Sequence, residues 1–74
     1  NMNKIGLSDI ERELDYQENL SSLEKSLEYN NRIYELVQRL SNSIDENHYK
    51  ILLEIISEST KRIYAKLNKL EEQN

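Results

Sequence analysis

Apolar residues recur every three or four positions along most of this chain, which is the spacing of one face of an α-helix. The first such stripe consists of Ile10, Leu14, Leu20, Leu23 and Leu27. The sequence has one glycine, Gly6, and no proline, so the usual helix breakers are missing from residue 7 onward. The pattern therefore predicts long amphipathic helices that pack on other helices.

The stripe changes phase at the pair Asn30–Asn31 and continues through Ile33, Leu36, Val37 and Leu40. Asparagine is a poor helix former. The pair could kink the helix, end it, or occupy a position between helices that fixes their register. We expect one continuous helix with a local irregularity. A break at this pair would instead give a three-helix bundle, which is the alternative architecture.

The best site for a turn is the stretch of residues 41–47, which contains few residues with a preference for helix. Ser43 and Glu46 have the S-x-x-E form of a capping box, and so do Ser8 and Glu11 near the start of the chain. The predicted organisation is a single domain, with an N-terminal tail at 1–7, a first helix at 8–41, a turn at 42–47 and a second helix at 44–72.

A single rod is the competing interpretation of this pattern. If the heptad set by Leu20 and Leu23 is extended along the whole chain, Glu58 and Arg62 fall between the strands of the coiled coil. Charged residues are disfavoured at such positions. The sequence therefore predicts an all-α fold, an antiparallel helical hairpin of two long amphipathic helices.

The second helix carries too much apolar surface for one partner helix. Its stripe comprises Tyr49, Leu52, Ile56, Ile63, Leu67 and Leu70, interrupted by Ser59 and Lys66. In the run 51–56, every residue except Glu54 is apolar, and such a run covers more than half of a helix. We therefore expect two hairpins to dimerise into a four-helix bundle. The residues expected in the core or interface are Leu20, Leu23, Leu27, Leu36, Leu40, Ile51, Leu52, Ile55, Ile56, Ile63 and Leu67.

Composition narrows the possible functions. The chain of 74 residues has 36% hydrophobic residues and no Cys, Trp or Phe, which predicts a thin core without disulfides. Its net charge of −4 argues against nucleic acid as the main ligand. The sequence has no apolar run of about 18 residues that would span a membrane and no signal-peptide pattern. We expect a cytoplasmic protein that does not bind membranes.

Residues that could carry chemistry are sparse. His48 is the only histidine, and with Asp45 it has the i, i+3 spacing of half a di-metal bundle site. A partly exposed residue at the start of the second helix is the simpler interpretation of His48. No serine lies beside a plausible base on one helical face. We therefore expect no enzymatic activity, no cofactor, no metal and no small-molecule substrate.

Charge and tyrosine content indicate a possible partner surface. Residues 59–70 contain four bases and no acid. We expect these bases to pair with Glu18, Glu24 and Glu28 across the hairpin, although a phosphate or an acidic partner is an alternative. Tyrosine is enriched at protein interfaces, and two of the five tyrosines flank the asparagine pair. The candidate partner surface is Tyr29, Tyr34, Lys61, Arg62 and Lys66.

The sequence thus predicts a non-enzymatic helical assembly or protein–protein interaction module that acts by packing helix on helix. Its expected partner is a second copy of itself, as a homodimer, or another helical protein. The alternative is a small regulatory protein that binds and modulates a transcription factor or signalling protein. We recognise no protein family in the sequence.

Overall fold

The computed structural model describes residues 6–73, most of which lie in two long helices. Helix α1 spans Leu7–Arg39 and helix α2 spans Glu46–Glu72, and a short 3₁₀ turn at Ser41–Ser43 connects them. The helices pack against each other in a hairpin that measures 65 × 17 × 11 Å. The predicted all-α helical hairpin is confirmed. The three-helix alternative is wrong, because α1 continues without a break through Asn30–Asn31.

An aspartate begins α2. The carboxylate Oδ2 of Asp45 accepts hydrogen bonds from the backbone N–H groups of Asn47 at 3.1 Å and His48 at 3.4 Å. A carboxylate at this position satisfies two unpaired donors and also interacts favourably with the helix dipole. The predicted cap at Ser43 is therefore wrong, since Ser43 lies in the 3₁₀ turn, where its N–H bonds to the Leu40 carbonyl at 2.9 Å.

The start of α1 also differs from the prediction. The helix begins at Leu7 after Gly6, so Ser8 lies inside the first turn and does not cap it. Gly6 is the N-cap residue, and the carboxylate of Asp9, inside the first turn, accepts the Gly6 N–H at 3.2 Å. Of the predicted N-terminal tail at 1–7, residues 1–5 lie outside the described residues.

A polar layer crosses the middle of the hairpin. The half-buried Asn30 side chain donates from Nδ2 to Ser59 Oγ at 2.9 Å, and a longer contact of 3.5 Å joins it to Thr60 Oγ1. The polar residues that interrupt the two apolar stripes therefore lie opposite each other. Of the three roles considered for the asparagine pair, Asn30 has the one between the helices, where a hydrogen-bonded polar layer favours one register.

The apolar core is thin. Among residues 6–73, only Val37 and Ile63 are buried, each with 8% of its surface exposed. Other apolar side chains are half-buried along the contact between the helices: Leu20, Leu23, Leu27, Ile33, Leu52, Leu53, Ile56, Leu67 and Leu70. The predicted core residues Leu36 and Leu40 are 53% and 45% exposed, so they do not belong to the core of the hairpin. Val37 follows Asn30 by seven residues, so it lies on the same face of α1, which is turned toward α2.

Candidate functional site

The apolar run at 51–56 divides between two sides of α2. Leu52, Leu53 and Ile56 are half-buried, whereas Ile51 and Ile55 are 51% and 58% exposed. Successive residues of a helix are turned by about 100°, so a run of this length cannot face one neighbour. The hairpin uses one part of the run for its own packing and leaves the other part uncovered.

Four exposed aliphatic residues near the turn share one side of the hairpin: Leu36, Leu40, Ile51 and Ile55. Their placement follows from Tyr29 of α1 and Arg62 of α2, which line the same groove between the helices. The two leucines follow Tyr29 by seven and eleven residues, and the two isoleucines precede Arg62 by eleven and seven. Such spacings keep residues on one helix face. We call these four residues the closed-end patch.

The same side of the hairpin becomes basic away from the turn. Lys25, Arg62 and Lys66 line the groove beside Tyr29. Toward the open end, Lys66 and Lys69 line a neighbouring hollow together with Asn19. No carboxylate is among the residues that line either of them, although the chain as a whole is acidic. We call the surface that contains Lys25, Arg62, Lys66 and Lys69 the basic groove.

Each ion pair among the described residues joins two side chains of the same helix. Glu28 pairs with Arg32 at 2.7 Å and Glu58 with Lys61 at 3.4 Å, and all four ion pairs have i, i+3 or i, i+4 spacing. The expected pairing of the α2 bases with acids of α1 is therefore wrong. Side chains one turn apart on a helix are already neighbours, so Glu28 and Lys61 find partners locally.

The predicted partner surface is not a single surface. Tyr29, Arg62 and Lys66 come together in the basic groove. Tyr34 lies beside Leu53 in a hollow that contains none of them, and its hydroxyl accepts a hydrogen bond from Gln38 at 3.0 Å. Lys61 lines neither the groove nor the hollow beside it. Sequence reasoning missed Lys25, because only the register of the hairpin brings this residue of α1 next to the α2 bases.

The residues considered for chemistry have structural roles. The Asp45 carboxylate, which has the spacing of half a metal site with His48, caps α2. Within residues 6–73, no three His, Cys, Asp or Glu side chains converge in a way that could hold a metal ion. In the same range, no helix has the length and apolar character needed to cross a membrane. The cytoplasmic location stays a prediction from the sequence.

Comparisons with models of known protein families, with curated proteins and with solved structures find no match to this chain.

Proposed function

We propose that this chain is a non-enzymatic assembly module whose hairpins associate in pairs through the closed-end patch and so form a four-helix arrangement. The observation that supports this proposal most directly is the patch itself. Its side chains, Leu36, Leu40, Ile51 and Ile55, are 53%, 45%, 51% and 58% exposed. Exposed aliphatic residues that cluster in this way are typical of protein–protein contact surfaces.

The exposed area of the chain supports a second copy as the partner. A compact monomer of 8.8 kDa is expected to expose about 4,800 Å², whereas this chain exposes 6461 Å². The excess of roughly 1,700 Å² is similar to the area that one chain buries in an obligate homodimer. Two copies related by a two-fold axis would each present the same patch to the other, which is the usual geometry of such dimers.

The experiment is a measurement of molecular mass by light scattering over a concentration series at high salt, which screens contacts between exposed charges and leaves apolar contacts in place. We expect the wild-type chain to approach the mass of two chains. At high salt, the double variant Ile51→Lys, Ile55→Lys should stay monomeric with the helix content of the wild type, because both side chains lie outside the hairpin core. These positions separate assembly from folding better than Ile56, which is half-buried in the hairpin.

Tyr64→Lys provides a matched control for the double variant. Tyr64 is 54% exposed, and it follows Ile55 by nine residues, which places it on the opposite side of α2. This variant should keep the wild-type mass. An unchanged mass in the Ile51→Lys, Ile55→Lys variant would contradict the proposed interface.

A wild-type chain that is monomeric at every concentration would contradict self-assembly. That result would favour the second candidate function, a regulator that covers the patch with a different helical protein. Such a partner would be sought by measuring whether Ile51→Lys, Ile55→Lys abolishes its binding while Tyr64→Lys preserves it.

A further inference from the structure

The cations of the basic groove have no carboxylate partner among residues 6–73. Elsewhere in the described residues, Arg12, Arg32, Lys50 and Lys61 form ion pairs within their own helices. None of the four cations of the basic groove forms an ion pair with another residue in the range 6–73. Three apolar residues, Leu23, Ile63 and Leu70, also line the groove and the hollow that continues it, beside Asn30 and Ser59 of the polar layer. An occupant of this surface therefore needs an apolar stripe flanked by acids.

The first turns of α1 have both properties. Glu72, where α2 ends, lies thirteen residues after Ser59, and Gln17 lies thirteen residues before Asn30, the partner of Ser59. Residues 7–15 therefore extend beyond the described end of α2, and we call them the N-terminal overhang. Its apolar stripe is Leu7, Ile10 and Leu14, which are 72%, 47% and 64% exposed.

The apolar stripe of the overhang faces away from its own hairpin. Tyr16 is half-buried on the side of α1 that faces α2. Leu7 and Leu14 precede it by nine and two residues, which places both on the far side of the helix. Because the overhang is part of one continuous helix, it cannot fold back onto its own groove. Only a second chain can bring this stripe and a basic groove together.

The charges of the two surfaces match in sign and spacing. Glu11 and Asp15 of the overhang and Glu18, one turn after Asp15, follow one another by four and three residues along α1, and Arg62, Lys66 and Lys69 have the same spacing along α2. The nine residues of the overhang span roughly 13 Å, and the stretch from Arg62 to Gln73 spans about 16 Å. A parallel approach of the two segments would place each acid near one base.

We propose that the N-terminal overhang of one copy docks in the basic groove of another copy, with its apolar stripe on the groove floor and its acids against the groove's cations. This contact uses residues outside the closed-end patch and is independent of the proposed function. A single-stranded nucleic acid is the competing occupant. The groove offers only Tyr29 for stacking with bases, and the chain carries a net charge of −4. Both observations favour an acidic helix over a nucleic acid as the occupant.

A charge-swap experiment tests this contact. The groove variant is Arg62→Glu, Lys66→Glu, Lys69→Glu, and the overhang variant is Glu11→Lys, Asp15→Lys, Glu18→Lys. Part of the self-association should be sensitive to salt, and each variant alone should lose that part. The reason is that its groove and its overhang would then carry charges of the same sign. An equimolar mixture should regain it, since each variant then supplies the partner that the other needs. Circular dichroism of each variant checks that the helix content is kept.

Arg39→Glu, Lys50→Glu, Lys61→Glu is the matched control for the groove variant. It changes the net charge by the same amount at exposed positions outside the groove, and it should associate as the wild type does. Wild-type mass in either charge variant alone, or a mixture that stays dissociated, would overturn the proposed docking.

The outcome also separates this contact from the closed-end interface. The variant Ile51→Lys, Ile55→Lys should retain the salt-sensitive association, whereas the groove variant should retain the association that salt does not weaken. Loss of association only in the patch variant would reject the docking and leave the proposed function intact. If a fluorescent single-stranded oligothymidine binds the wild type but not the groove variant, and the charge variants keep the wild-type mass, the groove is a nucleic-acid site.

Discussion

Asn30 of α1 and Ser59 of α2 are joined across the hairpin by a hydrogen bond of 2.9 Å between Nδ2 and Oγ. Both residues sit where an aliphatic side chain would continue the stripe of its helix. An axial shift of one helix against the other would separate them and place an unpaired amide against apolar groups, which costs free energy. The polar layer therefore favours one alignment of the two helices over shifted ones.

Replacing Asn30 by leucine should make the hairpin more stable but less uniform. A leucine there would add apolar burial, and we expect the free energy of unfolding in urea to rise by about 1 kcal/mol. Loss of the polar layer should broaden the distribution of distances between spin labels at Gln38 and Lys50, which are both exposed.

Asn31→Leu is the control for this experiment, since Asn31 is exposed and forms no part of the layer. It should leave the distance distribution as narrow as in the wild type. A distribution that stays equally narrow in Asn30→Leu would show that the polar layer does not set the register.

The cap of α2 gives a second prediction. Asp45→Ala removes the acceptor for the N–H groups of Asn47 and His48 and should lower the free energy of unfolding by about 1 kcal/mol. Asp45→Asn should lose much less, because an amide oxygen also accepts these bonds. Thermal melting followed by circular dichroism measures both. Glu54→Ala, at an exposed position within α2, is the control and should melt close to the wild type.

Ile63 is one of the two buried residues, and its truncation should be among the most damaging. We expect Ile63→Ala to lower the free energy of unfolding by about 2–4 kcal/mol, measured by urea unfolding at low protein concentration. Ile10→Ala removes the same atoms at a position that is 47% exposed and should cost far less. Equal losses in the two variants would mean that Ile63 does not anchor the hairpin.

The ion pair between Glu28 and Arg32 should contribute little, despite its distance of 2.7 Å. Both side chains are mostly exposed, with 76% of the Arg32 side chain and 63% of the Glu28 side chain accessible, so water screens their attraction. We expect Arg32→Gln to change the free energy of unfolding by less than about 0.5 kcal/mol. A loss several times larger in urea unfolding would contradict this view.

The hairpin and the position of its turn could be predicted from sequence, because they follow from two strong local signals. Apolar spacing marks both helices, and the polar stretch at 41–47 separates them. The same signals could not decide which residue caps α2. Ser43 and Asp45 are both good caps, and the choice depends on where the 3₁₀ turn ends.

The division of the apolar surface was harder to predict. Leu36 and Val37 both fit the resumed stripe, but Val37 follows Asn30 by seven residues and so keeps the inward face, which leaves Leu36 exposed. That Asn30 faces α2 is seen only in its pairing with Ser59. Lys25 was missed for a related reason, because its neighbours in the basic groove lie on the other helix. Features formed by two helices depend on register, which the spacing within one helix does not specify.

The thin core affects how long each copy of the protein survives proteolysis. With only Val37 and Ile63 buried in the described residues, a lone hairpin has little free energy in reserve against unfolding. The proposed association with a second chain would add stability by mass action, and the gain would grow with concentration. Proteases cleave chains while they are open, so copies made below the association threshold would be cleared first. The protein's own abundance would then set its lifetime.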